Sequence, residues 1–361
     1  MPPFPVVLER SSQKTIEVSL VPAQNVFSSM VLLAKDEDEP GIHEWIARTR
    51  AAMSRKELEN HTLAIIGFFF AILPEEGQVT FPAYLNQLEK TDAVVLRDKM
   101  LNTYASLWRE NTARVNWDKV LSSAGNYINF LKSRFDDKHV DVKIETKAYE
   151  YVLDPPAMKE FLTGHMTWIW ENHFKPEWER VESMLKESVR SFQNTDLTGM
   201  SRMEAAIFVT GQDVSNSKWC QKMDAAERVV FVPNAHIGPY IHASTHNNVL
   251  EVVFGARQPE GTGERIPDLD RNETVSRLSA LADDTRLHIL QLVAERGEIR
   301  VQDILEAINM SQPSVSRYLT QLTAAGYLQE RREGGAKVYI LNKDRIDKTL
   351  KAVNAFLLGN S

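Results

Sequence analysis

Apolar residues recur along this chain at two periods, and the change from one to the other organises it. At the start, Ile16 to Leu20 predicts a strand and Ala23 to Leu33 an amphipathic helix. Residues 42–73 and 92–133 then carry long stretches of helical spacing with few breakers. A helix is predicted from Met158 to Asn172, and Pro176 is placed to open the next, through Phe192. Proline suits that position because its missing N–H has no partner to lose in a first turn. Further on, Ala205 to Thr210, Arg228 to Val232 and Val249 to Phe254 are short β-branched-rich runs bounded by Gly, Asn and Pro. They are predicted as strands. The region reads as α+β and helix-rich.

Arg257 to Asp270, a run of turn formers and charges, is expected to be a linker. After it the helical spacing returns in short pieces. Val275, Leu278 and Ala282 share one face of a first helix. Asp284 is placed to cap a second, with Leu287, Leu290 and Val293 apolar and an end near Gly297. Val301, Ile304, Leu305 and Ile308 form the stripe of a third. Ser311 is placed to cap a fourth, which has Pro313 in its first turn and buries Val315, Tyr318, Leu319 and Leu322 before stopping at Gly326. Two short helices across a tight turn make a helix-turn-helix, whose second member enters the major groove of DNA. At about 100° per residue, Ser314, Arg317, Thr320 and Gln321 lie opposite the Val315–Leu319–Leu322 stripe. Arg and Gln make bidentate contacts to guanine and adenine, Ser and Thr reach bases or phosphates, and this face carries no carboxylate. A merely solvated face usually carries Glu and Lys.

Tyr327 to Arg332 and Lys337 to Leu341 flank Glu333-Gly334-Gly335-Ala336 and predict a hairpin with Arg331, Arg332 and Lys337 around its tip. A basic hairpin straight after a recognition helix is a wing, able to grip the backbone or reach the minor groove. A last helix places Ile346, Leu350, Val353 and Leu357 on one stripe, suited to pairing with the first helix across a dimer interface.

Length and charge sharpen this division. The 361 residues suggest two domains, and 43% hydrophobic against 25% charged residues can bury a sizeable core. The net charge of −7 argues against a chain that coats nucleic acid wholesale. From Arg271 onward, however, 13 Lys and Arg face 11 Asp and Glu, so this part is +2 and the rest −9. All seven tryptophans lie between Trp45 and Trp219. The expected layout is a large N-terminal α+β domain over 1–256, a linker over 257–270 and a C-terminal winged helix-turn-helix over 271–361. The most apolar run, Leu63 to Leu73, falls short of the roughly 20 residues a bilayer needs. Met1 to Arg10 lacks the pattern of a signal peptide, so a cytoplasmic protein that avoids membranes is expected.

The runs Leu281-Ala282-Asp283-Asp284-Thr285-Arg286-Leu287-His288-Ile289-Leu290, Met310-Ser311-Gln312-Pro313-Ser314-Val315-Ser316-Arg317-Tyr318-Leu319 and Ala325-Gly326-Tyr327-Leu328 resemble the ArsR-type winged-helix repressors. So does the wing, from Arg331-Arg332-Glu333-Gly334 through Val338-Tyr339. The resemblance covers about a quarter of the chain. It implies a homodimeric transcription regulator that binds a double-stranded DNA operator, with Ser311, Gln312, Ser314, Ser316, Arg317 and Tyr318 near the DNA. Members of that family sense metals through a cysteine pair at the start of the third helix. Here Arg300 and Gln302 stand in those places and the terminal helix has no His, so thiolate sensing is excluded. Trp170, Phe174, Pro176 and Trp178, with Val229 to Pro233 and Glu251 to Arg257, are similar to an N-terminal domain of uncharacterised function fused to ArsR-type winged helices. That resemblance supplies no ligand.

The expected DNA-contacting set is therefore Ser311, Gln312, Ser314, Ser316, Arg317, Tyr318 and Gln321 on the recognition helix, with Arg331, Arg332 and Lys337 on the wing. Other candidates read more simply. His236, His242 and His246, with Glu251 nearby, fall around turns, where scattered histidines are commoner than metal ligands. His165 and His173 sit about 80° apart on a helix, a poor pair. His43-Glu44 opens a metalloprotease-like string, but Ala47 occupies the second His position. Gly261 and Gly263 lie in the linker and make no dinucleotide fingerprint. There is no phosphate-binding loop and no nucleophile elbow. Cys220 lies between Lys218 and Lys222 and reads more simply as an inert free thiol than as a redox group. The tryptophans and Phe68 to Phe70 read more often as core than as a pocket, though a small-molecule effector in the N-terminal domain stays open. No catalytic residue, cofactor or metal is assigned. The alternative reading is an enzyme or ligand-binding protein whose N-terminal domain carries the main activity, with the winged helix as an accessory module.

Overall fold

The computed structural model describes residues 15–358, apart from 36–41, 76–79, 108–114, 136–139, 260–276 and some single or paired positions. The chain divides into two compact units: one comprises residues 21–38 and 44–183, the other residues 1–20, 39–43 and 184–361. No helix among the described residues is long and apolar enough to cross a membrane.

In chain order the second unit contributes strand β1 (Thr15–Val18), after which the first unit is built of helices. These are α1 (Pro22–Ala34), α2 (Glu44–Ala52), α3 (Arg55–Thr62), α4 (Phe69–Ile72), α5 (Phe81–Lys90), α6 (Ala93–Ser106), α7 (Trp117–Val120), α8 (Ala124–Lys132), α9 (Val142–Leu153) and α10 (Pro155–Ile169). The long helical patterns expected over 42–73 and 92–133 are cut into pieces by capping residues. Ser54 opens α3 through a capping box, its hydroxyl accepting from Glu57 N while Glu57 Oε2 accepts from Ser54 N at 2.7 Å. Asp92, Asn116 and Ser123 accept from the first turns of α6, α7 and α8 in the same way. Two π-helical turns, Leu63–Gly67 and Trp170–Phe174, continue α3 and α10, so the predicted break before Pro176 does not occur and α11 (Lys175–Gln193) follows directly. Gly67 permits a close approach, since a Cβ there would lie 3.0 Å from that of Ala148. Phe68 is fully buried, with the rings of Tyr151 and Phe161 at 6.0 and 6.2 Å, so its place is in the core.

The second unit holds α12 (Arg202–Thr210), α13 (Ser217–Ala225) and strands β2 (Arg228–Asn234), β3 (His242–His246) and β4 (Val249–Gly255). The sheet order is β1-β2-β4-β3, parallel except for the antiparallel edge strand β3. Val18, Val229, Phe231, Leu250, Val252 and Phe254 of the strands share one core with Val189, Phe192, Ala206 and Val209 of the helices. The predicted strand at Ala205 to Thr210 is corrected to a helix. A capping box between Ser201 and Glu204 starts it, and Gly211, at φ +67°, ends it in the left-handed conformation. These end signals outweigh the β-branched composition between them. His242 and His246 fall on β3, where the sequence predicts turns.

Of the expected linker, Arg257 and Pro259 are described, and 260–270 lies outside the described residues, as does Val275. Beyond it the chain builds a second, separate sheet with its own helices: α14 (277–281), α15 (Asp284–Arg296), β5 (Glu298–Arg300), α16 (Val301–Ile308), α17 (Gln312–Ala324), β6 (Leu328–Glu333), β7 (Ala336–Leu341) and α18 (Lys343–Leu358). The three antiparallel strands run in the order β5-β7-β6, and Ile289, Val293, Ile304, Val315, Leu319, Leu322 and Tyr339 meet in their core.

Two histidines 104 residues apart meet inside the helical unit. His61 and His165 are both buried, with His61 Nδ1 and His165 Nε2 at 3.1 Å and His61 Nε2 at 2.9 Å from the carbonyl of Met30. A carbonyl only accepts, so neutral His61 carries its proton on Nε2 and its Nδ1 accepts from His165. Burial holds His61 down to about 4 and His165 to about 3. The unfolded chain binds protons at these rings below about pH 6.5, whereas the fold resists them. The contribution of this pair to stability is therefore complete above that pH and declines as pH falls toward 4. Denaturant unfolding followed by tryptophan fluorescence from pH 8 to 4.5 should show this decline, and it should be shallower in a His61→Gln/His165→Gln variant. An equal slope in both proteins would contradict the assignment.

Candidate nucleic-acid interface

Helix α16 ends at Ile308 and α17 begins at Gln312, with Met310 and Ser311 described between them. Ile304 from α16 and Val315, Leu319 and Leu322 from α17 are each at most 1% exposed, so this stripe fixes which side of α17 faces outward. Ser311, Gln312, Ser316, Arg317 and Thr320 are exposed and Ser314 and Tyr318 half-buried. Ser311 precedes the helix, but its hydroxyl does not cap a backbone N–H. It lies 2.9 Å from Ser314 Oγ instead. The guanidinium of Arg317 stands over the ring of Tyr318, 5.5 Å from its centroid, on an exposed side chain.

Gln321 does not join this face. It is 6% exposed, and its Oε1 accepts from Arg286 Nη1 at 3.1 Å. Arg286 is likewise buried, and it also donates from Nε to Ala280 O at 2.7 Å and from Nη2 to Ser279 O at 2.8 Å. A buried guanidinium needs several acceptors, and Gln321 supplies one that the backbone cannot. The helical wheel places Gln321 outward because a polar residue opposite an apolar stripe has no visible reason to turn in. The sequence signal for Arg286 is its position: with Ile289, Leu290 and Val293 it completes the buried stripe of α15. Leu287, expected on that stripe, is half exposed. Asp283, one residue before the expected cap, accepts from Arg286 N at 2.9 Å.

The chain turns out of α17 at Gly326, whose φ of +80° suits glycine alone. Tyr327 OH reaches Arg277 O at 3.0 Å and Thr349 Oγ1 at 3.2 Å, linking the segment before α15 to α18. Strands β6 and β7 then form the wing, with Arg331 opposite Val338 and Arg332 opposite Lys337. Arg331 pairs with Glu298 of β5, and Lys337 Nζ lies 2.9 Å from Glu330 Oε2. The side chain of Arg332 lies outside the described residues. Leu350 and Leu357, about two turns apart on α18, are 57% and 69% exposed.

Elsewhere, His236 is buried and sits edge-on to His43, ring centroids 5.7 Å apart, rather than grouping with the exposed His242. Cys220 is half-buried. Residues 283–330 match the family model described as bacterial regulatory protein, arsR family. An arsenic resistance transcriptional regulator of Pseudomonas putida is 42% identical over 76 residues, 20% of this chain and 59% of that protein. An uncharacterized HTH-type transcriptional regulator of Methanocaldococcus jannaschii is 37% identical over 75 residues, 21% of this chain and 84% of that protein. A transcriptional repressor of Bacillus subtilis is 35% identical over 79 residues, covering 21% and 87%.

The Arg286 network separates two neighbouring side chains of α17 by role. Gln321→Ala leaves a buried guanidinium donor unmet and should cost about 1–3 kcal/mol of stability in denaturant unfolding. Arg317→Ala, an exposed change, should stay within about 0.5 kcal/mol of the parent. Equal effects would contradict the inward role of Gln321.

Proposed function

This chain belongs to the ArsR family of bacterial regulatory proteins, and on that premise we propose that it is a cytoplasmic, homodimeric repressor that binds a specific double-stranded DNA operator. The carrying observation is the exposed face of α17: Ser311, Gln312, Ser316, Arg317 and Thr320 without a carboxylate, over a stripe at most 1% exposed. In this reading α17 enters the major groove, Arg317 reads a guanine edge, and Ser311, Gln312, Ser314, Ser316 and Tyr318 contact neighbouring bases and phosphates. Arg331, Arg332 and Lys337 of the wing hold the backbone. A second copy packs on the exposed Leu350 and Leu357 of α18, which sets two recognition helices about one DNA turn apart.

Residues 271–361 are the DNA-binding domain in this proposal, and 1–256 a sensing or dimerising domain joined through 257–270. A small-molecule effector there would alter DNA affinity only by binding the free and DNA-competent geometries unequally.

Gel-shift titration tests the direct reading. Arg317→Ala should cost about 1–3 kcal/mol on the preferred site and relax base preference at one position. Lys337→Ala should weaken all sequences alike and lower the salt slope by about 1. Unchanged affinity and base preference in Arg317→Ala would defeat direct readout.

A further inference from the structure

Two of the wing cations are already held by carboxylates. Glu330 on β6 stands directly opposite Tyr339 on β7, and Lys337 lies two residues before Tyr339 on the same face of that strand. One carboxylate oxygen, Glu330 Oε2, therefore receives both the Tyr339 hydroxyl at 3.0 Å and Lys337 Nζ at 2.9 Å. Tyr339 is buried, and burial together with the charge of Glu330 raises its phenol well above the ordinary range, so it stays a fixed donor. Glu330 is thus an anchored acceptor, not a mobile surface acid. On the opposite side of β7, Arg331 of β6 reaches across to Glu298 of β5.

We propose that Glu330 and Glu298 stand in for DNA phosphates on the free wing, so that docking exchanges each carboxylate for a phosphate on Lys337 and Arg331. The proposal rests on the wing's role at the DNA backbone. Each exchange sets the gain from a phosphate contact against the loss of an existing ion pair, which tempers the hold on any single isolated anion. A duplex backbone, with phosphates spaced to engage both cations, recovers both losses together. Pairs this exposed change an equilibrium by about 1.5- to 5-fold each.

The test is fluorescence anisotropy of the full chain on a labelled mixed-sequence duplex, with a double-mutant cycle for each pair. Glu330→Gln keeps an acceptor for Tyr339 and should tighten binding by about 1.5- to 5-fold. That gain should vanish when Lys337→Gln is also present. Glu298→Gln should behave likewise against Arg331→Gln. Thermal melting of each variant, unchanged, shows that the wing still folds. Binding that stays the same or weakens in the Glu variants overturns the proposal. So does a gain that persists in the Lys337→Gln or Arg331→Gln background, because that is general charge repulsion and not exchange. If the parent chain binds no duplex at all, the DNA reading falls with it; if the parent binds and only the cycles show no coupling, the exchange alone is wrong.

Discussion

The guanidinium of Arg286 is buried between the start of α15 and the side of α17, where it ties Ser279 O, Ala280 O and Gln321 Oε1 together. Burying a charge is unfavourable unless its donors are met, so these three acceptors are required as a set. Two of them belong to the backbone at 279–280 and the third to α17. The angle at which α17 presents Arg317 therefore depends on a contact made from the other side of the same helix. Apolar packing alone would allow Val315, Leu319 and Leu322 of α17 to slide or roll over Ile304 of α16, since dispersion contacts are weakly directional. The hydrogen-bonded guanidinium removes that freedom. Gly326 and Tyr327 then fix where the chain leaves the helix, and with it where the wing begins.

Much of this module is legible in the sequence because its signals are local. The stripes of α15, α16 and α17, the glycine ends at Gly297 and Gly326, and the two wing strands all follow from periodicity and turn chemistry within a few residues. Gln321 escapes such reasoning for the opposite reason: its inward turn depends on Arg286, 35 residues earlier. The strand predicted at Ala205 to Thr210 shows a local signal misread, where β-branched composition is weighed above Ser201, Glu204 and Gly211. Short strands such as β3 and β5 owe their existence to a neighbouring strand, and no pattern inside three to five residues announces that. The ion pairs of Arg331 and Lys337 are hidden too, since a basic hairpin tip reads as free charge until the register is known.

The N-terminal part follows different rules. Its helices are cut by caps where the apolar pattern alone runs on, and the π-turn Trp170–Phe174 keeps the chain helical where Pro176 suggests a break. Single π-turns often accompany functional positions. One of them directly follows α3, the helix that ends with His61 and Thr62, and the other directly follows α10, which carries His165. The histidine pair, neutral by burial, ties α3 to α10 and through Met30 O to α1. Such a polar link in an aromatic core fixes helix order more narrowly than packing does. The parallel sheet β1-β2-β4 in the other unit brings Thr15 to Val18 beside residues more than 200 positions later, so neither unit is a simple run of sequence.

In a selection of duplexes from a fully random library by the full chain, the operator itself reports its sequence through enrichment. A dimer with α17 of each copy in the major groove should enrich an inverted repeat whose half-site centres lie about 10–10.5 base pairs apart, or a multiple of that. A pool that remains random after repeated rounds would contradict this placement.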